Sequence, residues 1–401
     1  MKEEAVSLAA TVVGDDVGRG QKKSTSLIDW NVKILKSLLK QVVSSRSSSN
    51  GDGVTSDNIK VLELETLRER SGSTSLMNEV ADVIEFPIPA KPGDKQTKPI
   101  QLEAIVEEQL RHLVTKIAEC YGSHAFHNLE HATHVAASTH KLLTRISNAE
   151  KSGANVGYVD LVTNDPLVQF TMVFAALIHD VDHPGVPNSQ LVEEGTPNAL
   201  LYKQSIAEQH ALDTVWAFLM TNEYKDLRAC IYASEKEFTL FRQLLVNAVL
   251  ATDVLDNDIQ NKRYGKRWEV AFSGSAGGDD VYHRSNNNHK ATLLLEILIQ
   301  AADIAHTMQQ WQVYRQWNQK LFIEQEAAYK AGRTGDPSNK WYSCEIQFFD
   351  DLVLPLAKKL RDCGAFGLGT GGGDEFYLYA EANRAKWTRI GSHIVQREYK
   401  K

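Results

Sequence analysis

Five of the thirteen histidines, His124, His127, His131, His134 and His140, crowd into one short segment, and His179 and His183 flank Asp180 and Asp182 in another. Neutral imidazoles and carboxylates are the ligands that suit zinc, manganese and magnesium, and a carboxylate next to a histidine can bridge two ions. In FHNLEHATHV, His127 and His131 are four apart, so on a helix they share one face. In ALIHDVDHPGVPN, an apolar run delivers His179 and Asp180 and then breaks at Pro184-Gly185. A further protein ligand is needed, and Asp303 in LEILIQAADIAHTM is the strongest candidate. It is an acid among apolar and small residues, where an uncompensated carboxylate is costly. Asp253 in VNAVLATDVLDND is a weaker candidate for holding metal-bound water. A lone histidine or aspartate on a helix is usually a hydrogen-bonded core residue. Two histidine motifs, an HD dyad and an isolated late aspartate together point to a metal site of His131, His179, Asp180 and Asp303.

The elements that must position these residues are helical. Apolar residues recur with a period near 3.6 over 27–43, over about 100–122, and over runs at 129–147, 166–180, 205–221, 236–254, 288–308, 310–331, 344–362 and 374–397. No alternating strand pattern and no internal repeat interrupts them, so the expected fold class is all-α. Residues 1–25 read as a mobile tail, SSRSSSNGDG and 84–98 as connectors, and 262–287, rich in Gly, Ser and charge, as a long surface loop.

Composition bounds the rest. With 401 residues, 42% of them hydrophobic, the chain can bury one large core or two smaller ones. A net charge of −7 argues against a partner that is a nucleic acid polymer. Cys120, Cys230, Cys344 and Cys363 are far apart with no CxxC pair, which suggests neither a zinc ribbon nor a disulfide framework. No apolar run approaches the ~20 residues of a membrane span, and the acidic N-terminus lacks a signal-peptide core. An intracellular, cytoplasmic location is expected; oligomeric state is unreadable.

The ordered series HNLEHATHV, HDVDHPGVPN, SIAEQH, ATD, ADIAHTMQQWQVYRQW and EIQFFDDLVLPL resembles the catalytic domain of class I 3′,5′-cyclic nucleotide phosphodiesterases, within the HD metallohydrolase superfamily. The resemblance implies a compact multi-helix bundle over residues 99–401, with 26–98 as N-terminal helix or helices and linkers packing on it. It implies two divalent cations, zinc with magnesium or manganese. His131, His179, Asp180 and Asp303 would hold the tighter one, and Asp180 would bridge to the second. His183, His210 and Asp253 match positions that support the water shell, and His127 matches the proton donor. Phe348 and Leu321 match the apolar clamp on the purine. The implied reaction opens cAMP or cGMP to the 5′-monophosphate and ends a signal: cations make hydroxide available near neutral pH, and His127 protonates the departing 3′-oxygen.

The sequence also departs from the family pattern. Glu345 stands where a purine-reading glutamine is usual, with Gln347 where glycine is common. Ionised glutamate only accepts hydrogen bonds, which suits guanine N1–H and N2–H and tilts the reading toward cGMP; a register slip would give that role to Gln347. His306 replaces an asparagine or aspartate and is open to a base-contacting or a supporting role. Gln204 and Ala211 replace a glutamate and a second histidine. Rival readings are another HD-type hydrolase, a cyclic-nucleotide-binding pseudoenzyme and a purely structural helical domain.

Overall fold

The computed structural model describes residues 17–46, 59–64, 66, 75–87, 100–151, 157–254, 266–273, 280–366 and 374–399. These residues form helices and connections, and no strand occurs among them. In chain order the helices are α1 (Val17–Arg46), α2 (Ala104–Cys120), α3 (Leu129–Lys151), α4 (Gly157–Thr163), α5 (Pro166–Ile178), α6 (Asn188–Glu193), α7 (Pro197–Tyr202) and α8 (Ile206–Leu219). They continue as α9 (Lys225–Ile231), α10 (Glu235–Ala251), α11 (Lys266–Ser273), α12 (Asp280–Asp303), α13 (Trp311–Lys330), α14 (Trp341–Phe348), α15 (Leu354–Asp362) and α16 (Asp374–Ile394).

α5 is the axis of the bundle. Asp165 caps it by accepting from the Leu167 N–H, Pro166 occupies the first turn, and from Leu167 onward every residue but Gln169 is buried. A helix apolar on all sides needs neighbours on all sides. α1, α3 and α10 supply them, with Phe170, Phe174 and Phe241 stacked in sequence at 6.0 and 6.4 Å. Each such side chain contributes about 1.5–3 kcal/mol when fully buried.

α1 begins at Val17, well inside the segment expected to be a mobile tail; residues 1–16 lie outside the described residues. Leu35, Leu38, Leu39 and Val42 bury its inner face. Polar contacts fix its register: Asn31 donates to Thr133 Oγ1 at 2.8 Å, and Arg46 donates to the Cys230 and Ile231 carbonyls at the end of α9, at 2.8 and 2.6 Å. The strap at 75–87, which opens with the 3₁₀ turn Leu76–Asn78, has no strand partner among the described residues. Buried side chains satisfy its backbone instead: Asn247 pairs with both the N–H and the C=O of Ala81, and Thr292 Oγ1 accepts from Ile84 N–H.

Two expectations are corrected. The 262–287 stretch is not one surface loop. Lys266–Ser273 is a helix whose Trp268 and Phe272 stack at 4.1 Å and pack on the core, and α12 already starts at Asp280. Polar composition masked the aromatic pair. The run at 344–362 is not a single regular helix either: α14 passes through a π-helical turn, Phe349–Val353, into α15. Pro355 lacks the N–H that an α-helix there would need, so the turn before it widens. A second π turn, Val395–Tyr399, ends α16.

Candidate metal centre and active site

Three elements bring the predicted ligands together. His131 lies in the first turns of α3, which Asn128 starts: its Oδ1 accepts from the Glu130 and His131 N–H groups at 2.9 and 3.2 Å. His179 is the C-cap of α5, Asp180 follows it, and Asp303 is the last residue of α12. His131 Nε2 is 3.0 Å from Asp303 Oδ1 and 3.4 Å from Asp180 Oδ2. His179 Nε2 is 3.1 Å from Asp180 Oδ2 and 3.3 Å from Asp303 Oδ1.

The donor set fits a divalent cation. His179 Nδ1–H donates to the Ala176 carbonyl at 3.0 Å, which leaves Nε2 as the lone-pair nitrogen, buried and without a hydrogen-bond partner of its own, aimed at two carboxylates. Lone pairs so placed repel unless positive charge lies among them. Without a cation a proton must supply it: burial resists the charge, yet Asp180 and Asp303 together hold His179 well above its ordinary range. Burial likewise works against ionising the carboxylates, and the two imidazoles outweigh it, holding Asp180 and Asp303 below the usual carboxylate range.

The chain turns sharply after Asp180. Asp182 takes a left-handed backbone (φ 57°), and Gly185 (φ 70°) must be glycine because a Cβ there would sit 2.8 Å from the His124 ring. This turn carries His183 to stack on His127, with centroids 3.8 Å apart. His127 is not on the helix with His131, as the spacing suggested, but just before the Asn128 cap. Its Nδ1 makes a short hydrogen bond to Glu324 Oε1 of α13, while Glu324 Oε2 accepts from the Phe126 and His127 N–H groups at 2.8 and 2.9 Å. Burial disfavours charge on His127, but the Glu324 bond and the field of Asp180 outweigh it and raise its pKa. Burial also opposes ionisation of Glu324, and the three donors override it, lowering it to about 2. Burial and the charge of His127 push His183 down to about 3, so it stays a neutral stacking partner.

Of the other residues expected around the second cation, His210 bonds Asp182 at 2.8 Å on the open side of the turn. Asp253 is buried and accepts from Ser205 Oγ at 2.8 Å and Asn188 Nδ2 at 3.3 Å. Asn188 also donates to Glu208 at 2.9 Å. Burial and the charge of Asp253 push Glu208 up to about 8. Thus Glu208, four residues after Gln204, supplies a half-buried carboxylate in the segment where Gln204 departs from the family pattern.

Of the residues expected to meet the base, α14 turns Glu345 inward and Gln347 outward. Glu345 is buried and accepts from Tyr314 Oη at 3.1 Å, whereas Gln347 is exposed and donates to Asp351. Burial pushes Glu345 up to about 7, with Tyr314 and Asn318 pulling the other way. Phe348 and Leu321 are partly buried on α14 and α13. His306, in the 3₁₀ turn Ala305–Met308, is buried, with its ring edge-on to Phe126 at 5.7 Å. Burial and the fields of His134 and His131 push it down to about 3.

Residues 126–364 match the sequence profile of the 3′5′-cyclic nucleotide phosphodiesterase family. The chain belongs to this family. It is 29% identical over 221 residues to the 3′,5′-cyclic-AMP phosphodiesterase 4C of Rattus norvegicus, covering 54% of this chain and 37% of that protein. It is 26% identical over 267 residues to the dual specificity calcium/calmodulin-dependent 3′,5′-cyclic nucleotide phosphodiesterase 1B of Bos taurus, covering 64% of this chain and 44% of that protein. The chain therefore spans less than half the length of these curated relatives. In fold it is similar to the crystal structure of the phosphodiesterase domain of Salpingoeca rosetta rhodopsin phosphodiesterase, with a TM-score of 0.56 at 22% identity, over 74% of this chain and 86% of that one. The all-α architecture agrees with that likeness, and no single helix among the described residues is long and apolar enough to cross a membrane.

Sequence reading missed several residues of this site. Glu324 shares a helix face with Trp317 and Leu321, seven and three residues earlier, and that spacing was the available signal. Glu208 and Asn188 lie within the SIAEQH and HDVDHPGVPN motifs without having been given a role, and Asn318 carried no signal beyond being polar.

Proposed function

We propose that the chain hydrolyses a 3′,5′-cyclic nucleotide, cGMP or cAMP, to the 5′-nucleoside monophosphate and so terminates an intracellular signal, with residues 99–401 as the catalytic domain. The observation that carries this reading is the convergence of His131, His179, Asp180 and Asp303 within 3.0–3.4 Å contacts, beside the His127–Glu324 pair.

His131, His179, Asp180 and Asp303 would hold the first of two divalent cations, zinc with magnesium or manganese, with Asp180 shared and His183, His210, Asp253 and Glu208 ordering water on the open side. Such cations supply Lewis acidity at the phosphate and hydroxide near neutral pH. His127 serves as the general acid. Glu324 holds the Nδ1 proton, which leaves Nε2–H to protonate the leaving 3′-oxygen, and the raised pKa keeps the ring charged nearer neutral pH. Phe348 and Leu321 face the two sides of the purine, where base–aromatic contact contributes about 1–3 kcal/mol. Glu345 reads the base edge, and its inward orientation favours it over Gln347. His306, buried against Phe126, supports the wall rather than contacting the base.

The test is turnover of cAMP and cGMP in parallel, before and after chelation, and with zinc, magnesium or manganese restored. Activity is expected to vanish on chelation and return with metal. Undiminished hydrolysis by rigorously metal-free protein would sink the proposal.

A further inference from the structure

α1 turns Leu35, Leu38, Leu39 and Val42 into the bundle. The helical period then leaves Lys33, Lys36, Ser37 and Lys40 as one stripe on the opposite side. Between this stripe and the exposed Arg111 of α2 lies an open groove of about 360 Å³. None of its lining residues belongs to the metal centre or to the base wall, and Val32, which is buried, is the one apolar residue among them.

Two of the four cations in the groove are matched by carboxylates. Arg111 pairs with Asp29 at 2.7 Å, and Lys36 pairs with Glu107 at 2.7 Å. Lys33 and Lys40 have no carboxylate partner among the described residues, and Lys40 reaches only the Gln101 side-chain oxygen, at 3.5 Å. Lys33, Lys36 and Lys40 are spaced three and four apart, so like charges repel along the stripe. The chain as a whole carries a charge of −7. Salt confines the pull of exposed charges to roughly 10 Å at 0.1 M ionic strength, however, so an anion arriving here meets the local positive surplus.

The geometry selects among anions. Lys33 and Lys40 are seven residues apart, roughly 10 Å along the helix axis, with Lys36 and Ser37 between them. A single orthophosphate is short for that span, whereas a chain or ring bearing two or more phosphates fits it. The concave shape, with a volume in the usual range for small-ligand sites, favours a soluble molecule over a flat bilayer. No lining residue offers an exposed apolar side chain to insert into lipid.

We propose that the groove between α1 and α2 is a binding site for a soluble polyphosphate, an anion carrying at least two phosphate groups. Lys33 and Lys40 hold its ends, Lys36 and Arg111 flank it, and the Ser37 hydroxyl donates a further hydrogen bond. An occupant that bridges two helices binds the folded chain alone and so raises its melting temperature.

The experiment titrates sodium tripolyphosphate into the full chain by calorimetry and follows melting, for the parent and for Lys33→Gln/Lys40→Gln. Orthophosphate, and phosphatidylcholine vesicles with and without phosphatidylinositol 4,5-bisphosphate, are tested in parallel. Glutamine has nearly the helix propensity of lysine and removes no ion pair here, so the double variant is expected to melt close to the parent without ligand. Chelation and binding at the metal centre are common to both proteins, and the difference between them therefore reads the groove. Tripolyphosphate is expected to bind the parent about tenfold or more tightly than the double variant, to lose affinity as salt rises, and to raise the parent's melting temperature above the variant's. Equal affinity in the two proteins overturns the site. Orthophosphate binding as tightly as tripolyphosphate also overturns it, since the two-ended geometry then selects nothing. Capture by the phosphoinositide vesicles without binding of tripolyphosphate overturns it as well, and makes this face a membrane contact instead.

Discussion

The metal cage and the base wall sit on the same bundle but are held differently. The cage draws its side chains from α3, the end of α5 and the end of α12, helices that run through the apolar centre and leave His131 and His179 1% exposed. The base wall is built from α13, α14 and the last turn of α16, with a π turn following α14 and another containing Tyr399. Charges that must meet within 3.0–3.4 Å sit where packing permits little movement. The residues proposed to choose between bases sit on α13 and α14, where Glu345 is held by the Tyr314 hydroxyl, and one substitution there can retune them without disturbing the cage.

This contrast predicts that cage substitutions remove rate for both nucleotides alike, whereas wall substitutions change their ratio. The largest effect is expected at Asp303. Asp303→Ala should lower kcat/KM for cAMP and cGMP equally, by roughly a thousandfold or more, with loss of tightly bound metal by elemental analysis. A preserved metal content would break the contrast at its strongest point. His127→Ala comes next, with kcat down about a hundredfold and nucleotide binding retained, separable by equilibrium binding and single-turnover rates. Full activity in that variant would remove His127 as the acid.

Glu324→Gln should cost about tenfold and carry a signature in pH. In the native protein the Glu324 bond and the Asp180 field raise His127 against the opposing effect of burial. The protonated ring is the acid, so kcat/KM falls as pH rises through that pKa. Losing the glutamate charge leaves burial less opposed, so the alkaline limb should move to lower pH. A limb that stays in place would detach Glu324 from the acid. The smallest and most discriminating effect is that of Glu345→Gln, where the cGMP-to-cAMP ratio of kcat/KM is expected to move while kcat does not.

The helix starting at residue 129, the one starting at 166, and the placement of Asp303 at the end of an apolar helix were legible because each depends on local periodicity or on the cost of an isolated charge. The α11 helix was not, because polar and glycine-rich composition hid a short apolar face that only a neighbouring surface rewards, and the early start of α1 falls on polar residues with no apolar period. His127 was identified, yet its place before the cap rather than on α3 depended on Asn128 engaging two backbone N–H groups.

By itself, then, the sequence determined which residue types were available for metal chemistry and which helices would carry them, since ligand identity and helical period are local properties. Tertiary structure alone decided that Glu324 would hold His127 across 197 residues, that Glu208 and Asp253 would share the Asn188 amide, and that Tyr399 would reach Asn318 across 81. No local pattern encodes those pairings. They arise when the apolar faces of distant helices find one another and leave a few polar side chains with a single partner each.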